Sequence, residues 1–466
     1  MMFALVLAEL TCSLESGMLY VALSDLYRDY GDPISVGWLL TAFTLTSAAS
    51  AAVAGRLGDL FGRRRVLLFM LALAFAGSAL SAMTSNLTII IVGRAIQGIS
   101  MAVLPLSFGV LREIIAKRDM GLAISTIGAT YAVGGGLGVI LGGAIVDNFD
   151  WHGIFIVSAA MALVAIIMVL IFVPGVARKP VTGPIDLVGG VLFAPAVAMV
   201  LYGVSEGSGR GWSVSLVAIM LAGLALLAFW FRHEWRLAIP LIDVRQLAKR
   251  EVGFANLALG AIALGPLLGP AMIMPMLQQP VWTGIGFGIA ATTAGLAKLP
   301  GNVTAAIGTL FSGALSRRIN VRTIMLVAAI GSALGWFGLA FMHDDFWLVF
   351  ILMTLLIVPT GTIILSMIPQ IVIQAVPEDR TSEATGLSQV VRAFSKAIGT
   401  QLIALCFASE MIATPEGGSY PAESAFVTAF VVTGCLSLVS AMFLFALPRN
   451  TRSIGGEHHA KVPTAA

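Results

Sequence analysis

Charge is what this chain has least of. Only 11% of its 466 residues are Asp, Glu, Lys or Arg, against about 25% in a soluble globular domain, so an ordinary wetted surface is excluded. Cysteine is equally scarce. Cys12, Cys406 and Cys435 all fall in apolar runs, with no spacing that suits a disulfide framework or a metal site. The five histidines lie in loops and the tail, and His458-His459 is a poor ligand pair by itself. The loops between apolar runs are short and carry no Ser/His/Asp set, phosphate-cradling loop or nucleotide motif. These absences argue against an enzyme, a bound cofactor or metal, and a nucleotide-driven pump. The net charge of +3 carries no nucleic-acid signal, because the basic residues flank apolar runs.

What the chain has is apolar length. Hydrophobic residues make up 58% of it, with 50 glycines among the rest. The apolar runs extend about 20 residues each without strict alternation, which suits membrane-spanning helices and not barrel strands. In lipid only those two architectures satisfy the backbone. The first run begins at Met1, contains Glu9 and Glu15 and lacks a small-residue cleavage site, so it reads as a span and not as a cleaved leader.

Fourteen spans are predicted, near 2–23, 36–55, 66–84, 88–111, 120–146, 152–173, 185–205, 212–231, 253–277, 287–313, 323–342, 347–368, 383–408 and 425–447. An even number puts both termini on one side. Of the 27 Lys and Arg, 21 then fall in loops and tails on that side and two, Arg28 and Arg210, on the other. The positive-inside bias places the termini in the cytosol. The expectation is a multi-pass protein of a plasma membrane, the inner membrane of a bacterium. The loops on the other side read acidic, with Asp344-Asp345 and with Glu410, Glu416 and Glu423 around the longest.

Between the second and third spans lies a basic, glycine-rich segment read as a hairpin loop, Gly55-Arg56-Leu57-Gly58-Asp59-Leu60-Phe61-Gly62-Arg63-Arg64-Arg65. It recurs as Gly313-Ala314-Leu315-Ser316-Arg317-Arg318 after the tenth span, again followed by a basic residue, Arg322. That weak repeat organises the chain into a six-span bundle over 1–174, two inserted spans with a basic linker over 175–251, a second six-span bundle over 252–448 and a cytosolic tail over 449–466. Repeats of this kind place a substrate site at their interface near the bilayer midplane.

Several stretches, in order, resemble the fourteen-span drug:proton antiporter family of the major facilitator superfamily over nearly the whole chain. Leu14-Glu15-Ser16-Gly17-Met18-Leu19-Tyr20-Val21-Ala22-Leu23 resembles its first-span motif, with Glu15 where Asp is usual. The 55–65 segment matches the superfamily's loop motif, and Gly93-Arg94-Ala95-Ile96-Gln97-Gly98 its fourth-span arginine motif. Ile185-Asp186-Leu187-Val188-Gly189-Gly190 and Pro240-Leu241-Ile242-Asp243-Val244-Arg245 resemble the flanks of the inserted pair. Glu378-Asp379-Arg380 through Arg392 resembles the start of the thirteenth span. Gly134, Gly138, Gly142 and Gly143 occupy the fifth-span antiporter pattern, where small residues let two helices approach closely. Val139 stands at that pattern's proline, so the packing role survives without the kink. The resemblance implies an all-α major facilitator fold, alternating access and proton-coupled export of amphipathic organic compounds. It implies a monomer in the lipid bilayer, with the proton as coupling ion.

Ionisable groups at membrane depth cost roughly 2.5–3.5 kcal/mol on insertion scales and need a reason to be there. Glu15 lies roughly 20 Å into its span at 1.5 Å per residue, deep enough to load and release a proton. Arg94 is its expected charge partner, and Glu9, nearer the cytosolic end, is a candidate third member of the proton-coupling set. In the loop motif, Gly55, Gly58 and Gly62 permit tight turns, while Arg56, Asp59, Arg63 and Arg64 are expected to lock and release the two halves. Gln389, Arg392, Lys396 and Thr400 share a face of the thirteenth span, and Lys298 shares one with Asn302 in the tenth. Lys298 and Lys396 stand where the family pattern is usually apolar or glycine. With Tyr20 and Gln97 they complete the expected substrate contacts: Tyr20, Gln97, Lys298, Asn302, Gln389, Arg392 and Lys396. Two deep cations also leave open a second reading, a carrier or importer of an organic anion or lipid, or a pairing of one lysine with Glu15. Trp151 and Trp282 read as interfacial anchors. A sensor or scaffold that has lost transport is disfavoured by the intact loop and fourth-span motifs.

Overall fold

The computed structural model describes residues 1–114, 120–175, 187–237, 244–316, 318–376, 381–414 and 418–447. The motif segments at 185–186, 240–243 and 378–380, together with Arg317, Glu416 and the tail 449–466, lie outside them.

Among the described residues the helices line up as fourteen antiparallel rods. In order these are Met2–Tyr30, Pro33–Phe61, Arg63–Ala82, 87–114, Met120–Asn148, His152–Phe172, Leu187–Arg210, Val214–Arg236, 250–278, 291–315, Val321–Phe341, 346–374, Thr381–Ala408 and Glu423–Phe445. Ten of them carry a described stretch long and apolar enough to cross a bilayer, and two further apolar helices, Val133–Asn148 and Leu192–Gly207, are shorter. The ends follow local chemistry. Asp32 accepts the amides of Ile34 and Ser35 ahead of Pro33, whose missing N–H is needed by nothing in a first turn. Asn86, Ser213, Asn320 and Asp345 cap four more rods in the same way.

One local expectation is corrected. The 55–65 segment is not a loop: the second rod stays helical through Phe61, and Gly62 alone separates it from the third. Gly62 turns the chain at φ 90°, a conformation glycine adopts without a Cβ clash. The long loop before the last rod holds a small antiparallel hairpin, Met411–Ala413 against Ser419–Pro421.

Packing divides the molecule by face. Toward the termini each half has its own core. Ala4, Leu5, Val66, Leu106 and Val169 belong to one, and Ala255, Met325, Ile371 and Leu444 to the other. Toward the opposite, far face a single core runs through both halves, joining Leu23, Leu39 and Phe155 to Met276, Trp336 and Phe407. The halves therefore share one core at the far face and keep separate cores toward the termini, while a further cluster joins the second and thirteenth rods to the inserted pair. Glycines permit the shared core: a Cβ on Gly143 of the fifth rod would fall 2.6 Å from the Ala291 backbone of the tenth, and one on Gly295 would fall 2.9 Å from the Val139 carbonyl. The seventh and eighth rods pack on each other, and the seventh lies against the second and thirteenth.

Candidate functional site

Four rods converge on Arg94. The fourth rod is brought against the second because Gly98 has no side chain; a Cβ there would sit 2.3 Å from the Phe43 carbonyl. Gly93 and Gly77 allow the same approach to the third. Arg94 is thereby 1% exposed, with its guanidinium 4.1 Å above the Phe43 ring. Its Nε donates to the Leu39 carbonyl at 3.2 Å, and Nη1 donates to Gln97 Oε1 at 2.9 Å and to Glu15 Oε1 at 3.4 Å. Gln97 in turn donates to Ser78 Oγ at 2.7 Å. Glu15 is 2% exposed and holds the arginine through a single long contact. The other partners of the guanidinium are carbonyl, amide and ring. Arg94 thus keeps three partners besides Glu15, the Leu39 carbonyl, the Gln97 amide oxygen and the Phe43 ring.

Gln97, expected to meet substrate, accepts from Arg94 and donates to Ser78. Glu9 is also buried, and its Oε2 has no partner among the described residues. Between the two acids on the same helix sits the Cys12 thiol, 3.8 Å from the Ser100 carbonyl and hydroxyl.

Of the gating set, Arg63 donates to the Gly109 carbonyl and Arg64 to that of Leu170 at 2.8 Å. Both bonds stay inside the first half, as does the contact of Gly58 with Leu106. Gly55 lies within the helical second rod, and the side chains of Arg56 and Asp59 lie outside what is described. The fifth-span glycines divide. Gly134, Gly138 and Gly142 face Ser13, Leu14 and Met18 of the first rod, whereas Gly143 faces the tenth rod in the other half.

In the second half, Lys298 sits at the break between the helices Ala291–Ala297 and Leu299–Leu315. It and Asn302 line a cavity of about 180 Å³, with Met274, Met353 and Ile357 among its apolar walls. The Asn302 amide reaches toward Gly136 of the fifth rod, where a Cβ would lie 2.9 Å from its nitrogen. Lys396 places its ammonium 5.9 Å from the Tyr20 ring centroid in the first half. Glu15 pairs with Arg94 and with neither lysine. Arg392 and Gln389 continue the thirteenth helix toward the terminal face without lining this cavity; Gln389 is exposed.

Three polar features escaped the sequence. Gln401 donates to Thr41 at 3.0 Å and accepts from Ser205 at 2.9 Å, tying the thirteenth, second and seventh rods together. A glutamine inside an apolar span was the available signal. Asp147 accepts the amides of Ala291 and Thr292, joining the halves at the far face. Trp151 is 6% exposed and donates to Asp29 at 3.0 Å, so it is an internal strut and not a lipid anchor. Trp282, at 54%, is exposed as an anchor would be.

A family profile described as Major Facilitator Superfamily matches residues 5–400. The cephamycin export protein CmcT of Amycolatopsis lactamdurans is 30% identical over 94% of this chain and 90% of its own length. The multidrug resistance protein B homolog of Mycobacterium tuberculosis strain H37Rv is 28% identical over 90% of this chain and 79% of its own. Among solved structures, a peptide transporter POT in complex with sulfate superposes with a TM-score of 0.69 at 15% identity, covering 96% of this chain and 93% of that one. A point mutant of the nucleoside transporter NupG gives 0.68 at 13%, covering 95% and 98%. At such identities the likeness is one of fold alone.

Proposed function

The chain belongs to the major facilitator superfamily, and on that premise we propose that it is a proton-coupled exporter of amphipathic organic compounds, working by alternating access. The observation that carries the reading is the buried Glu15–Arg94 pair, a titratable acid beside a cation held by other partners. Relatives described as export and multidrug-resistance proteins support the outward direction. With the termini in the cytosol, as the Lys/Arg distribution supports, the core shared at the far face closes the outward path, and this conformation is read as the one that takes cargo from the cytosol. In it cargo binding from inside displaces the proton of Glu15, and the carboxylate so formed rests on Arg94. Opening the far face releases the cargo and lets Glu15 take a proton from outside. The protonated acid loosens its hold on Arg94, and the return to this conformation delivers the proton to the cytosol.

The test is cargo-induced proton release from the purified protein at mildly alkaline pH, using a panel of organic cations, anions and neutral lipophiles. Release is expected in the wild type and absent in Glu15→Gln. Equal release from both proteins would remove Glu15 from the coupling role.

A further inference from the structure

Three irregularities of the second half meet at one place. The ninth rod is interrupted by the 3-10 turn Pro266–Leu268, the tenth at Lys298, and the twelfth by the π turn Met353–Ile357. All three breaks line the same cavity. Non-helical backbone at membrane depth is tolerated where it lines a cavity or is buried in protein, and π turns recur at functional sites. A single packing defect would not interrupt three neighbouring helices at one depth.

The cavity's chemistry is one-sided. Ile273, Met274, Met353 and Ile357 give it apolar walls, while Lys298 and Asn302 supply an ammonium and an amide. Among the described residues neither Lys298 nor Lys396 has a carboxylate partner, and Glu15 is committed to Arg94 in the other half. A cation arriving here meets the like charge of Lys298; an anion completes the site.

We propose that this cavity is a cargo subsite of the second half, and that the cargo it selects is an organic anion. A carboxylate would be held by Lys298, and a compact apolar body would fill the space between the broken helices. The proposal rests on the transport reading above and supplies its substrate class. Size bounds the apolar body. An engineered cavity of about 150 Å³ holds benzene, so this one, at about 180 Å³, takes a single ring or a branched alkyl group. Larger cargo would extend from it toward Lys396 and Tyr20.

The test uses three near-isosteres, phenylbutyrate, phenylbutyramide and phenylbutylamine, with equilibrium binding to the full chain in lipid nanodiscs. Phenylbutyrate is expected to bind best and the amine worst. Lys298→Gln should weaken phenylbutyrate about tenfold, the worth of one charge-assisted hydrogen bond, and leave the amide unchanged. Lys298→Arg should restore most of that loss. Met274→Trp, which fills the cavity without touching charge, should weaken all three ligands. Equal affinity for the amine and the carboxylate, or indifference to Lys298→Gln in a monodisperse protein, would overturn the proposal. Proton release read in parallel separates the two claims. Release by the amine alone, lost in Glu15→Gln, sinks the subsite and keeps the exporter. Lys298-dependent phenylbutyrate binding without any Glu15-dependent release keeps the subsite and sinks proton coupling.

Discussion

The Asp147 carboxylate accepts the backbone amide of Ala291 at 2.9 Å, and with a second bond, from Thr292 at 2.8 Å, it fastens one bundle to the other. Gly143, one turn earlier, brings the two backbones into contact. The contact lies at the far face, where the halves share a core. It is a polar latch between halves that carry separate cores toward the termini.

Asp147→Ala should weaken that latch, at about 1.5–3 kcal/mol for each charge-assisted bond lost. Spin labels at the exposed Phe149 and Val281 positions, on a background without the three native cysteines, should then report a longer-distance population. An unchanged distance distribution would mean that the far face is held by packing alone.

Arg94→Ala leaves Glu15 buried without its cation and should cost about 3–5 kcal/mol in stability, read as a lower unfolding temperature in detergent. The double variant with Glu15→Gln should recover part of that loss, because the orphaned acid is gone. Arg94→Lys keeps the charge but not the planar group stacked on Phe43, so its proton release should fall well below wild type.

Two neighbouring glycines make an internal control. A Cβ on Gly138 would meet the Leu14 carbonyl at 2.3 Å, whereas one on Gly135 meets nothing within 4 Å. Gly138→Ala should lower expression and thermal stability, and Gly135→Ala should leave both near wild type. Equal behaviour of the two would show that the first and fifth rods pack less closely than the geometry requires.

Gln401→Leu removes the bridge between Thr41 and Ser205. An unsatisfied buried hydroxyl costs about 1–3 kcal/mol, and the inserted pair should loosen first. Faster hydrogen exchange in 192–207 than in the first bundle is the expected sign; uniform exchange would place the anchor of the inserted pair elsewhere.

Some of this was legible in the residues. Glu15 and Arg94 stand out because an ionisable group in lipid is expensive wherever it sits, and the structure brings the two together. Gly134, Gly138 and Gly142 were readable as close-packing positions from spacing alone, and they do face one helix. Gly143 was not separable from them, because its partner lies in the other half, more than a hundred residues along the chain. Lys298 and Asn302 were readable as neighbours one turn apart, but the cavity they line depends on breaks in two other rods.

The sequence by itself determined the solvent of this protein, the helical class and the candidate spans, since those follow from apolar length and the need to satisfy every backbone group locally. It also determined which ionisable groups needed a partner. Only the tertiary structure decided which partner each has, at which face the halves share a core and where three helices break together. Those depend on contacts between segments far apart in the chain, and periodicity within one helix says which residues share a face but not what that face will meet.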